Sequence, residues 1–206
     1  MMHRDRLSRF ILAGSSLLLL TLSLADATAG DAPARKSPSG MTVQQAYEAH
    51  AGHRHTDFDP TAAGFSPREA AYLVSLFDLI DLAIVEKTQA WTWFQSGGRA
   101  GAPVATYKDR IDDLIGAIDR LPAPDRLQPI RTLLVEAIRE QTLFFEAWEQ
   151  SERGGAIPVA DGRGRHLQSS SQKLHQAYGQ LRVLFPEAGK RNFDAFYDHL
   201  CVLDLQ

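Results

Sequence analysis

Apolar residues recur every three to four positions along most of this chain, and no stretch alternates with period two for long enough to make a strand. The pattern predicts helices with polar joints. Ser66-Pro67-Arg68-Glu69 opens the first long helix as a capping box with proline at the first helical position. That helix runs to Phe94 or Gln95 and stops at Gly97-Gly98. Leu73, Leu76, Ile80, Ala83, Trp91 and Phe94 share one broad face, which Tyr72, Leu79 and Ala90 extend.

A second helix starts near Thr106 and carries Tyr107, Ile111, Leu114, Ile115, Ile118 and Leu121 on one stripe, ending at Pro122-Ala123-Pro124. A third begins at Asp125, takes Pro129 into its first turn and ends at Gly154-Gly155. Its stripe is Ile130, Leu133, Leu134, Ala137, Ile138, Phe144, Phe145 and Trp148. The fourth spans about Arg165 to Phe185 with Leu167, Leu174, Tyr178, Leu181 and Phe185 inward. The last starts at Asn192 and turns Phe193, Phe196, Tyr197, Leu200 and Leu203 to the core. Ahead of all these, Thr42 to Ala51 forms a short helix with Val43, Ala46, Tyr47 and His50 on one face.

Short connections favour antiparallel neighbours. The expected architecture is therefore all-α: an up-down-up-down four-helix bundle, with a short N-terminal helical segment and a fifth C-terminal helix packed on it.

The beginning of the chain has a different character. Met1 to Arg9 is basic, Phe10 to Leu24 is apolar apart from small residues, and Ala27-Thr28-Ala29 is a small-x-small site. This is the grammar of a secretory signal peptide over residues 1–29. The apolar run of roughly 15 residues falls short of the ~20 needed to span a bilayer. Residues 30–64 read as a flexible leader holding the short helix and a histidine cluster, and residues 65–206 as the helical bundle domain. The expected location is periplasmic or secreted, with no transmembrane segment after cleavage.

Charge and cysteine content narrow the functions. The net charge is −3, and no Lys/Arg stripe is present, so nucleic acid is not an expected partner. The single cysteine, Cys201, excludes an internal disulfide framework.

Two places carry candidate chemistry. At one end of the expected bundle Trp91, Phe94, Phe144 and Trp148 gather as a wall for a small apolar ligand, and Gln141 supplies a polar handle within the third helix's apolar stripe. Lys87 is a second polar residue inside an apolar stripe, expected to snorkel outward. In the leader, His50, His53 and His55 lie beside Asp57 and Asp59, ligand types suited to Cu, Ni or Zn. His166, His175 and His199 fall on helix flanks. Asp78 and Asp81 lie opposite the centre of their helix's core face and read as a solvated or partner-facing pair.

Several chemistries are demoted. No C-x-x-C-H, E-x-x-H, G-x-S-x-G or Walker sequence occurs. The favoured reading is a non-enzymatic exported binding or accessory protein acting on an unknown protein or a small apolar ligand. The alternative is a periplasmic metal-binding protein using His50, His53 and His55. A further alternative is an enzyme with an unrecognised site in the bundle core.

Overall fold

Two capping boxes set the first two helices. The Thr42 hydroxyl accepts from the Gln45 amide and the Gln45 side chain accepts from the Thr42 amide, starting α1 (Val43–Glu48). Ser66 and Glu69 do the same for α2 (Pro67–Gln95), with Pro67 at the first helical position. Each cap satisfies amides that helix geometry leaves orphaned, a contribution of about 1 kcal/mol.

Residues 40–50, 52–154 and 163–205 are described in this computed structural model. All of them fall in the unit Pro33–Gln206. The expected signal peptide over residues 1–29 and the first part of the leader lie outside the described residues. Beyond α2 come α3 (Val104–Arg120), a one-turn 3-10 segment (Asp125–Leu127), α4 (Gln128–Gly154), α5 (Arg163–Leu184) and α6 (Gly189–Leu203). Among the described residues the fold is all-α, with no strand. None of their helices is long and apolar enough to cross a membrane.

The proline-rich joint after α3 explains one boundary. The chain first closes the tight turn Asp125–Leu127, with the Leu127 amide on the Pro124 carbonyl at 2.8 Å. Pro129 then sits in the first turn of α4, where its missing amide costs nothing. At the other end of the chain, α6 starts at Gly189, three residues before the expected Asn192. Asn192 is buried and does not cap. Its side-chain oxygen accepts from the Asp59 amide at 2.8 Å, and its nitrogen donates to the Asp59 carbonyl at 3.0 Å.

The core joins every helix. α2 packs on α1, α3 and α6, α4 packs on α3 and α5, and α5 packs on α6. The α3 stripe Tyr107, Ile111, Ile115 and Ile118 is buried as the pattern predicts, as are Ile130, Leu134, Ala137 and Ile138 on α4. Tyr197 on α6, expected inward, is 48 % exposed. It lies against Tyr178 at the surface, with ring centroids 5.9 Å apart.

The largest departure from the periodic reading is in α2. From Ile80 to Ala90 its circumference is almost wholly covered: Asp81, Glu86, Lys87, Thr88 and Gln89 are buried together with Ile80, Ala83, Ile84, Val85 and Ala90. A wheel assumes one covered face. Here α1, residues 52–66 and α6 cover the face that the wheel assigned to solvent, so Asp81 is not a solvated residue. Lys87 does not snorkel either. It is 0 % exposed, and its ammonium donates to the Val202 and Asp204 carbonyls at the end of α6.

Candidate metal centre

Residues 52–66 form a strap between α1 and α2, and side chains rather than secondary structure hold it. The Thr56 hydroxyl donates to the Asp198 carboxylate. Asp59 is held by Asn192, and the Arg191 guanidinium donates to the Asp57 carbonyl at 3.4 Å. Phe58 inserts among Phe65, Phe77 and Phe196, with ring centroids 5.1 to 6.0 Å away. Anchored on both sides, the strap delivers the ring of His55 onto α2.

There His55 meets two residues from distant parts of the chain. Its Nε2 lies 3.0 Å from Asp81 Oδ2 on α2, and His199 Nε2 on α6 lies 3.3 Å from Asp81 Oδ1. Tyr47 on α1 donates its hydroxyl to Asp81 Oδ1 at 3.0 Å. The two imidazoles stand 5.3 Å apart, centroid to centroid, and Tyr47 packs edge-on to both. One donor atom each from His55, Asp81 and His199 lies within 4.8 Å of the other two. Among the described residues no other such group of three forms.

The hydrogen bonds fix which nitrogens are available. His199 Nδ1 sits 2.7 Å from the Ala195 carbonyl, which can only accept, so Nδ1 carries a proton. Nε2 of the same ring then aims at a carboxylate oxygen. A neutral imidazole would set lone pair against lone pair there. The contact is satisfied when a cation stands at Nε2, either a proton or a metal ion. His55 is placed similarly, with Asp81 at Nε2 and Asp57 Oδ1 3.4 Å from Nδ1.

Electrostatics follow from this arrangement. The hydrogen bond to Asp81 raises the His55 pKa against the opposing effect of burial, with Asp57 and Asp198 adding to the rise. Burial alone would raise the Asp81 pKa, but hydrogen bonds from His199 and His55 hold it down at about 2. Burial, with Asp81 beside it, keeps the Tyr47 hydroxyl protonated well beyond the ordinary range. The group lines a cleft of about 200 Å³. Phe58, Val74 and Phe77 form its apolar wall, and Asp57 and Asp78 its acidic side. Two imidazoles and a carboxylate beside an open cleft leave room for further ligands on an ion.

No protein family, curated protein or solved structure gives a match to the chain.

The histidines of the leader go to different places. His50 Nε2 lies 3.2 Å from Thr88 Oγ1, and that hydroxyl donates its own proton to the Ile84 carbonyl. His50 therefore donates from Nε2. Burial first, then Lys87 and His53, lower its pKa to about 4, so the ring is neutral. His53 lies beside the Tyr197 ring, centroids 6.3 Å apart. Of the three, His55 alone belongs to the group with Asp81 and His199.

The aromatic residues expected at one end of a bundle do come together. Trp91 stacks on Phe94 at 5.0 Å, Phe94 meets Trp148 edge-on at 4.4 Å, and Trp91 and Phe94 both reach Phe144. Trp93 packs edge-on to Trp148 at 5.4 Å. Gln141 is engaged one turn further in: its nitrogen donates to Ser170 Oγ at 3.1 Å and to the Leu203 carbonyl at 2.7 Å.

Periodicity overlooked Asp81 because a wheel places it opposite the core face, and His199 because a wheel places it on a flank. One signal was available. Asp81 is the single charge in Leu79-Ile80-Asp81-Leu82-Ala83-Ile84-Val85, an apolar run too broad for one face.

Proposed function

We propose that this protein is an exported metal-binding protein that holds a first-row transition-metal ion through His55 Nε2, His199 Nε2 and the Asp81 carboxylate. The observation that carries the reading is the His199 ring. Its Nδ1 is committed to the Ala195 carbonyl, and its Nε2 faces Asp81 at 3.3 Å. A ligating histidine is oriented in this way by an acceptor on its other nitrogen. Imidazole and carboxylate together suit Zn, Cu, Ni or Fe. The second carboxylate at His55, Asp57, supplies the same kind of outer support.

Export enters this proposal through the sequence of residues 1–29, read as a signal peptide. The long helices enter it as an up-down-up-down four-helix bundle, with α1 and α6 closing over α2 to bury the centre.

The test is metal content. The protein, stripped with chelator and reloaded separately with Zn, Cu, Ni and Fe, is expected to retain about one equivalent of one of them. His55→Ala and His199→Ala are expected to lose it while keeping their helical circular dichroism. His53→Ala is expected to keep it. Equal retention by all four proteins, or retention by none, would sink the reading.

A second reading rests on a separate observation. Trp91, Trp93 and Phe94 are only half-buried around Trp148, and these rings offer contact area to a small apolar ligand or a protein partner. Quenching of tryptophan fluorescence by a planar apolar probe, saturable in the native protein and absent in Trp93→Ala, is the outcome this reading requires.

A further inference from the structure

We infer that the cleft beside His55, Asp81 and His199 is the site of a second, diffusible ligand, and that the ion held there takes a small uncharged nitrogen donor bearing an N–H group, of the imidazole class, in preference to an anion. The inference rests on the metal reading of these three residues and names what that centre admits.

The first argument is access. Asp81 is 9 % exposed, His199 2 % and Tyr47 0 %, so the centre is closed on the sides of α1 and α6. Its open side is the cleft of about 200 Å³ that His55, Asp81 and His199 all line. A water in the liquid takes about 30 Å³, so this space holds on the order of six to seven groups of that size. A five-membered ring therefore fits.

The second argument is the wall. The Phe77 ring stands 4.6 Å from the His199 ring, and Phe58 stands 5.6 Å from Phe77, centroid to centroid. Val74 lines the same cleft and is 38 % exposed, a large apolar side chain left open to water. These groups offer an anion no hydrogen bond and strip its hydration at a cost. A flat uncharged ring gains by covering them.

The third argument is charge and reach. Any cationic centre attracts anions, so the carboxylates around it decide the outcome. Asp81 on the ion and Asp57 at the mouth offset the two charges of a divalent ion, which leaves an anion little net attraction. His55 also shows that one imidazole spans from the ion to Asp57: its Nε2 faces Asp81, and its Nδ1 lies 3.4 Å from Asp57 Oδ1. A second imidazole lying beside His55 repeats that span, with one nitrogen on the ion and its N–H on Asp57. A carboxylate accepts about four hydrogen bonds, so His55 leaves Asp57 the capacity for it.

The experiment loads the chelator-stripped full chain with CoCl2, confirms the bound cobalt by elemental analysis, and follows the visible bands of Co(II). Imidazole and sodium azide are titrated in parallel at a pH where imidazole is uncharged. Imidazole is expected to shift the bands and to bind about tenfold or more tighter than azide. In cobalt-loaded Asp57→Asn that preference is expected to shrink by about threefold or more. The comparison of the two ligands on the native protein decides the matter even where the variant holds less metal. Azide binding as tightly as imidazole overturns the inference. Bound cobalt whose bands respond to neither ligand also overturns it and leaves the three-residue centre standing. Failure to retain cobalt, zinc, copper, nickel or iron brings down the metal reading, and the inference with it.

Discussion

The Lys87 ammonium, at the middle of α2, donates to the Asp204 carbonyl 3.1 Å away and to the Val202 carbonyl, and so caps the last turn of α6 from inside the core. Burial lowers the Lys87 pKa from 10.5 to about 7, against the favourable pull of Asp204 and Cys201. Between these two values the unfolded chain holds a proton at this site that the folded chain has released. Stability from this group therefore rises as pH increases from about 7 towards 10.5. Urea denaturation at pH 7, 8 and 9 is expected to show that rise in the native protein and to lose it in Lys87→Met. Lys87→Ala, which leaves two carbonyls without their donor and opens a cavity, is expected to cost about 2–4 kcal/mol.

His55 has the opposite sign. Its pKa is raised in the fold, chiefly by the hydrogen bond to Asp81. The stabilisation is fully present below the unfolded histidine value and disappears as pH rises through the folded one. Asp81, held at about 2, loses its contribution only as pH falls from the ordinary carboxylate range through that value. In the presence of chelator, the stability difference between the native protein and His55→Gln is expected to be larger at pH 5.5 than at pH 9. A difference independent of pH would contradict the His55–Asp81 pairing.

Gly101 marks where the loop after α2 folds back on the helix. Its φ is +87°, and a Cβ there would lie 2.2 Å from the Gln89 carbonyl and 2.6 Å from the Trp93 amide nitrogen. Gly101→Ala combines backbone strain with contact against main chain that cannot yield, so a loss of about 2–4 kcal/mol is expected. Gly97 has φ +63° but no atom within 4 Å of the same position. Gly97→Ala is expected to cost only the conformational part, about 1 kcal/mol. Paired thermal melts separate the two.

Trp148→Ala removes a buried ring that touches Trp93 and Phe94. The expected loss is about 3–5 kcal/mol, read by denaturant midpoint, with the His55–Asp81–His199 group unaffected. Unchanged metal retention in this variant would show the two ends of α2 to be independent.

Helix positions were legible because amphipathic stripes, caps and prolines are local signals. Tyr107, Ile111, Ile115 and Ile118, and Ile130, Leu134, Ala137 and Ile138, are buried as their spacing requires. Ser66, Pro67 and Glu69 form the cap their order implies. The centre was not legible, for a physical reason. Its members come from the strap, α2 and α6, and their meeting depends on bonds such as Thr56 to Asp198, between residues 142 positions apart. A wheel drawn on α2 alone cannot know that both its faces are covered. His55 was visible as a histidine near carboxylates, but the carboxylate that matters most, Asp81, is 26 residues away.

The strap has a consequence for biogenesis. Asp59 and Asn192 are 133 positions apart, and α6 supplies both Asn192 and His199. Pairings across such a span form only after the intervening helices have been made and packed. A chain clipped ahead of α6 has lost His199, Asp198 and the carbonyls that receive Lys87. Capture of an ion at this centre would thus be a property of the finished molecule alone, and immature or trimmed copies would leave free metal untouched.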